Sequence, residues 1–178
     1  MSNSIRGEYQ AHGVDAFYEQ HGATYRNPHE PIVRHLVQTS VVAWGLDISH
    51  VLDLACGSGE VTLALRALPT CGQVSGIDPY TAAAYQERTG QTAETFTFED
   101  IAQGSLTGRQ YSLIVCSFAM HLIAESWLPA LSYHLSQNSP QLLVLTPHKR
   151  PDLKSAWGWT LTHELLHERV RARLYNRT

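Results

Sequence analysis

Val51-Leu52-Asp53-Leu54-Ala55-Cys56-Gly57-Ser58-Gly59-Glu60 passes from an apolar run, through a loop with two glycines, into a helix-like segment. An apolar run this continuous reads as a parallel strand buried on both faces. The glycines let backbone N–H groups approach a ligand closely at the positive end of a helix. A dinucleotide fingerprint would place glycine at 57, 59 and 62, but position 62 is threonine. A pyrophosphate-binding nicotinamide site is therefore a poor match.

Outward from this stretch, strand-like and helix-like segments alternate. Strands are expected at His50–Ala55, Gln73–Asp78, Thr95–Phe98, Tyr111–Ser117 and Gln141–Thr146. Helices are expected after the first loop through Leu68, from Tyr80 to about Thr89, around Trp127–Ser136, and over Ser155–His167. Val170–Tyr175 reads as one last strand. This alternation predicts an α/β chain with a right-handed, doubly wound, mostly parallel sheet. Residues 1–47 are aromatic-rich and helical from Pro28, and read as a cap over a core of residues 48–178. No linker divides them, so residues 1–178 form one domain.

Composition narrows the function. Of 178 residues, 43% are hydrophobic and 16% charged, which excludes disorder and a coiled coil. Thirteen basic and sixteen acidic residues leave −3, without the basic excess that phosphate-backbone binding needs. No nucleic-acid partner is expected, and no apolar run approaches the roughly 18 residues of a membrane span. Cys56, Cys71 and Cys116 form no CxxC pair and read as reduced thiols. A cytoplasmic protein is expected. Ten histidines should make net charge sensitive between pH 5 and 7.

Asp53-Leu-Ala-Cys-Gly57-Ser-Gly59 resembles the first motif of class I S-adenosylmethionine-dependent methyltransferases. Ala55 stands where that family often has its first glycine. Two further acids end successive strands, Asp78 in Ile77-Asp78-Pro79 and Asp100 in Phe98-Glu99-Asp100-Ile101. The resemblance covers about residues 48–147 and implies a Rossmann-like sheet ordered 3-2-1-4-5, with one C-terminal strand added. There are residues for only one such strand, where the family usually has two, so a shortened edge or a homodimer formed there is expected.

The resemblance also implies the site. Asp53, Ala55, Cys56, Gly57 and Gly59 would hold the methionine part of S-adenosylmethionine, or of its product S-adenosylhomocysteine. Asp78, with Pro79 and Tyr80 beside it, would take the ribose hydroxyls. A carboxylate suits that task because it accepts two hydrogen bonds at once. Asp100 and Ile101 would meet the adenine. Ser117 and Phe118 would pass the transferable methyl, and Ser112 stands where many members carry an acid. Tyr25 and Arg34 of the cap can reach the cofactor carboxylate. Tyr18, His21, His29, His121 and His148 are candidates for a small-molecule acceptor pocket, with His121 the candidate proton acceptor. A His121 bonded to a neighbouring loop carbonyl is the plain alternative, and Thr146–Pro151 can equally be a solvated basic loop. Besides methyl transfer, the chain can be an inactive methyltransferase-like binding or partner protein.

One rival motif remains. His163-Glu164-Leu165-Leu166-His167 fits HExxH, which in zinc hydrolases puts two histidines on one helical face. Arg173 stands where a third histidine ligand would fall, so no metal is expected there. The segment is read as a helix with both histidines toward solvent.

Overall fold

The computed structural model describes residues 16–17 and 21–178. Tyr18 lies outside them. After a short 3₁₀ turn at Gly22–Thr24, helix α1 spans Glu30–Trp44, with proline in its first turn and a left-handed Gly45 closing it. There follow β1 (His50–Leu54), α2 (Glu60–Arg66), β2 (Gln73–Ile77), α3 (Ala82–Thr89) and α4 (Phe98–Ala102). The second half contains β3 (Leu113–Ser117), α5 (Leu128–Asn138), β4 (Gln141–Thr146), β5 (Trp159–His167) and β6 (Val170–Arg177).

One six-stranded sheet runs β2-β1-β3-β4-β6-β5. The first four strands are parallel, and β6 pairs antiparallel with both β4 and β5. Strand alternation sends residues to two cores. Val51, Leu113, Val115, Leu143 and Leu145 meet α1 and α2, while Leu52, Leu54, Ile114, Cys116 and Leu142 meet α5.

Three expectations are corrected. Thr95–Phe98 is not a third strand; only a single bridge, Ile77 to Glu94, extends the sheet there. Thr97 instead opens α4 as half of a capping box, its hydroxyl accepting from Asp100 N while Asp100 accepts from Thr97 N. That reciprocal cap satisfies helix N–H groups that a strand would leave open. Ser155–His167 is not a helix, because Trp159–His167 pairs along its length with β6. The C-terminal edge therefore has two strands rather than one. They are joined by Glu168 and Arg169, both at positive φ, which matches the twist of a two-residue hairpin.

Candidate functional site

The carboxyl ends of β1 and β2 are stitched together. Asp78 accepts from Gly57 N at 3.1 Å through one oxygen, and from Tyr80 N and Thr81 N at 2.9 and 3.0 Å through the other. Thr81 Oγ1 in turn donates to Gly57 O at 2.7 Å. Gly57 has φ +55°, and a Cβ there would lie 3.1 Å from both the Tyr25 ring and a Glu60 carboxylate oxygen. The positive φ favours glycine, and a side chain here would press on Tyr25 and Glu60. Burial raises the Asp78 carboxyl above its ordinary range, and the three backbone N–H groups oppose that shift.

Asp53 lies beneath this loop, on the face shared with α2. Its Oδ2 accepts from Thr62 N at 3.1 Å and Thr62 Oγ1 at 2.7 Å, and Tyr85 OH lies 3.0 Å from the same hydroxyl. The threonine that breaks the dinucleotide pattern thus holds the acid in place. Asp53 is 1% exposed, and its Oδ1 has no hydrogen-bond partner among the described residues. Burial pushes its pKa up to about 8, with smaller contributions from the Glu60 and Asp78 charges.

Above the stitched loops is a cavity of about 320 Å³, within the size range of small-molecule pockets. Eight of the residues expected to bind cofactor line it: Tyr25, Ala55, Gly57, Asp78, Pro79, Tyr80, Ser117 and Phe118. Six do not. Asp53 and Cys56 are buried below, and Ile101 is in the core. Gly59 is the left-handed cap of α2. Asp100 is turned into its capping box, and Arg34 pairs with Glu30 at 3.8 Å on an exposed face. Glu99, one residue before Asp100, lines the cavity instead, with Phe96 and Phe98 beside it. The Thr97-x-x-Asp100 spacing is the signal that separates these two acids.

Histidines gather at the β3 end. The His29 ring stacks on Phe118 at 5.1 Å, and the His121 ring lies 4.2 Å from that of His148. His121 belongs to the turn whose Ala119 and Leu122 line the cavity. Burial, then the neighbouring His148, lower its pKa to about 4. Neither Ser117 Oγ nor His121 Nδ1 has a hydrogen-bond partner among the described residues. His21 is exposed and packs on Phe17 at 4.9 Å.

The HExxH segment is a strand, so its glutamate and histidines face opposite ways. His163 and His167 pack on α1, their rings 5.3 Å from Trp44 and 4.1 Å from His35. Glu164 accepts from Arg173 Nε at 2.6 Å. The expected helix is corrected; the expected exposure is not, since His163 is exposed and His167 half-buried on this edge strand.

Residues 51–137 match the family described as a methyltransferase domain. The chain belongs to that family. Along 97% of its length it is 34% identical to the uncharacterized protein C17A5.05c of Schizosaccharomyces pombe, covering 91% of that protein. Two solved methyltransferases share its fold. Magnesium protoporphyrin IX methyltransferase of Synechocystis, with bound S-adenosylmethionine, has a TM-score of 0.60 at 20% identity, over 98% of this chain and 95% of that one. The N-methyltransferase NodS of Bradyrhizobium japonicum, with S-adenosylhomocysteine, has a TM-score of 0.61 at 15% identity, over 85% and 88%.

Proposed function

We propose that this methyltransferase-family chain binds S-adenosylmethionine in the 320 Å³ cavity and methylates a small-molecule acceptor. One observation carries the reading: an acid at the switch point, Asp78, ties down a glycine loop, and both Asp78 and Gly57 line the cavity. Gly57 offers bare backbone for the methionine part, and Asp78 keeps lone pairs free for ribose hydroxyls. Phe96 and Phe98 supply flat apolar surface for a purine, with Glu99 as the acid at its rim. Ser117 Oγ provides an unpartnered polar atom at the β3 end.

When bound, the cofactor supplies an electrophilic methyl group on a sulfonium. The chain contributes alignment and exclusion of water, which is enough for an in-line displacement. Tyr25 roofs the loop. His121 is neutral above pH 5 and can take a proton from an acceptor that must lose one. A small acceptor suits the short cap and the absence of basic excess in the sequence. Incubation with labelled S-adenosylmethionine and a panel of small hydroxyl, amine and thiol compounds should transfer label to one class. Label appearing only on RNA or protein would overturn the small-molecule part.

A further inference from the structure

Residues 22–30 are fastened across the glycine loop at three points, and none of the fastening side chains lines the cavity. Gly22 rests on α3's approach, where a Cβ would come 2.2 Å from Tyr80 O. Glu60, 6% exposed, accepts from Asn27 N at 3.1 Å and from Ser58 Oγ. Arg88, at the end of α3, bridges two carboxylates. Its Nη2 donates to Glu30 Oε1 at 2.6 Å, and its Nη1 donates to Ser58 Oγ at 3.2 Å and reaches Glu60 Oε1 at 3.5 Å. One guanidinium thus joins the first turn of α1 to the first turn of α2, and Tyr25 is held over Gly57 between these anchors.

We infer that Glu60 and Arg88 are positioning residues which, with Glu30, latch residues 22–30 over the cofactor, and that opening this latch sets the rate of cofactor and product exchange. The inference rests on the proposed cofactor site. Tyr25 is the residue of this segment that lines the cavity, and lifting it off a bound ligand separates Asn27 from Glu60 and Glu30 from Arg88. Side-chain exposures of 18% for Arg88 and 24% for Glu30 keep this ion pair partly out of water, where it is stronger than a surface pair. The latch is built from charge, so salt should loosen it.

S-adenosylhomocysteine is the probe, and its association and dissociation on tethered full-length protein are the readout. Arg88→Met should raise the dissociation rate about ten-fold and remove its salt dependence, since changes at a closing element appear mostly in dissociation. Arg88→Lys should recover part of the loss. Glu30→Gln, which leaves Glu60 in place, should act in the same direction without unfolding the protein. Trypsin should also cut the Arg26–Asn27 bond faster in Arg88→Met, with ligand protecting it less. Unchanged dissociation rates in both Arg88→Met and Glu30→Gln would overturn the latch. Failure of the unaltered protein to bind the probe would overturn the cofactor site instead, and the latch with it.

Discussion

Asp78 has two tasks, and they shape what its replacement does. Its oxygens accept from three backbone N–H groups that hold two loops together. Asp78→Ala leaves those donors without an acceptor and should lower stability as well as affinity. Asp78→Asn keeps one accepting oxygen but turns its amide nitrogen toward a backbone N–H, so it too should cost some stability, and affinity is read on the folded variant. This change should weaken S-adenosylhomocysteine binding by about 1–3 kcal/mol in calorimetry. Wild-type affinity in a folded Asn variant would remove the ribose role. Asp53 makes a separate prediction. Its folded pKa of about 8 lies above the ordinary value of 3.8, so between these pH values the folded state holds a proton that the unfolded state has lost. Its contribution to stability is full below about pH 4 and falls as pH rises toward 8. Asp53→Asn should remove this component, so melting temperatures of variant and wild type should converge, then cross, as pH rises. A pH-independent difference would contradict a neutral Asp53.

Among the elements, α4 shows how a local cap decides what faces the site. The Thr97 and Asp100 capping box turns Asp100 back onto Thr97 and leaves Glu99 at the cavity wall. Thr97→Ala should cost roughly 0.5–2 kcal/mol in chemical denaturation, the range for a lost cap. It should also weaken cofactor binding, because Phe96, Phe98 and Glu99 lose their fixed direction. Full affinity in the variant would mean that α4 does not shape the pocket. The hairpin carries another prediction. His163 and His167 pack their rings on Trp44 and His35, so changing both to glutamine should destabilise the protein by about 1 kcal/mol. No loss in a denaturation series would show these contacts to be idle. The sequence pattern hid this hairpin because Glu168 and Arg169 lack the Asn-Gly signal of a tight turn, although both adopt positive φ. Pairing with β6 then overrides any helical preference of the segment.

Across the whole molecule, legibility followed burial. β1, β3 and β4 are covered on both faces, and their largely apolar runs announce them from the sequence, whereas β2, Gln-Val-Ser-Gly-Ile at the sheet edge, is legible mainly from the alternation of strand and helix around it. The first loop stands out by its two glycines after a buried strand, whereas an acid at a strand end can equally cap a helix, as Asp100 does. What the pattern could not resolve was direction: which of Glu99 and Asp100 faces the cavity, or that Asp53 points beneath the loop toward Thr62. The first choice is set by the local Thr97-x-x-Asp100 capping box, a spacing the strand reading of Thr95–Phe98 passed over, and the second by strand alternation against α2, a contact formed only after the chain folds. Among the described residues no helix is long and apolar enough to cross a membrane. The sheet, the stitched loops and the cavity together make one claim, that a cofactor with a methionine end and a nucleoside end sits beneath Tyr25. Titration calorimetry of the full chain with S-adenosylhomocysteine tests it most directly. The account predicts one site per chain with a Kd on the order of micromolar, and about 2.7 kcal/mol of added stability at 100 times that concentration. No heat and no rise in melting temperature with either S-adenosylhomocysteine or S-adenosylmethionine would contradict it.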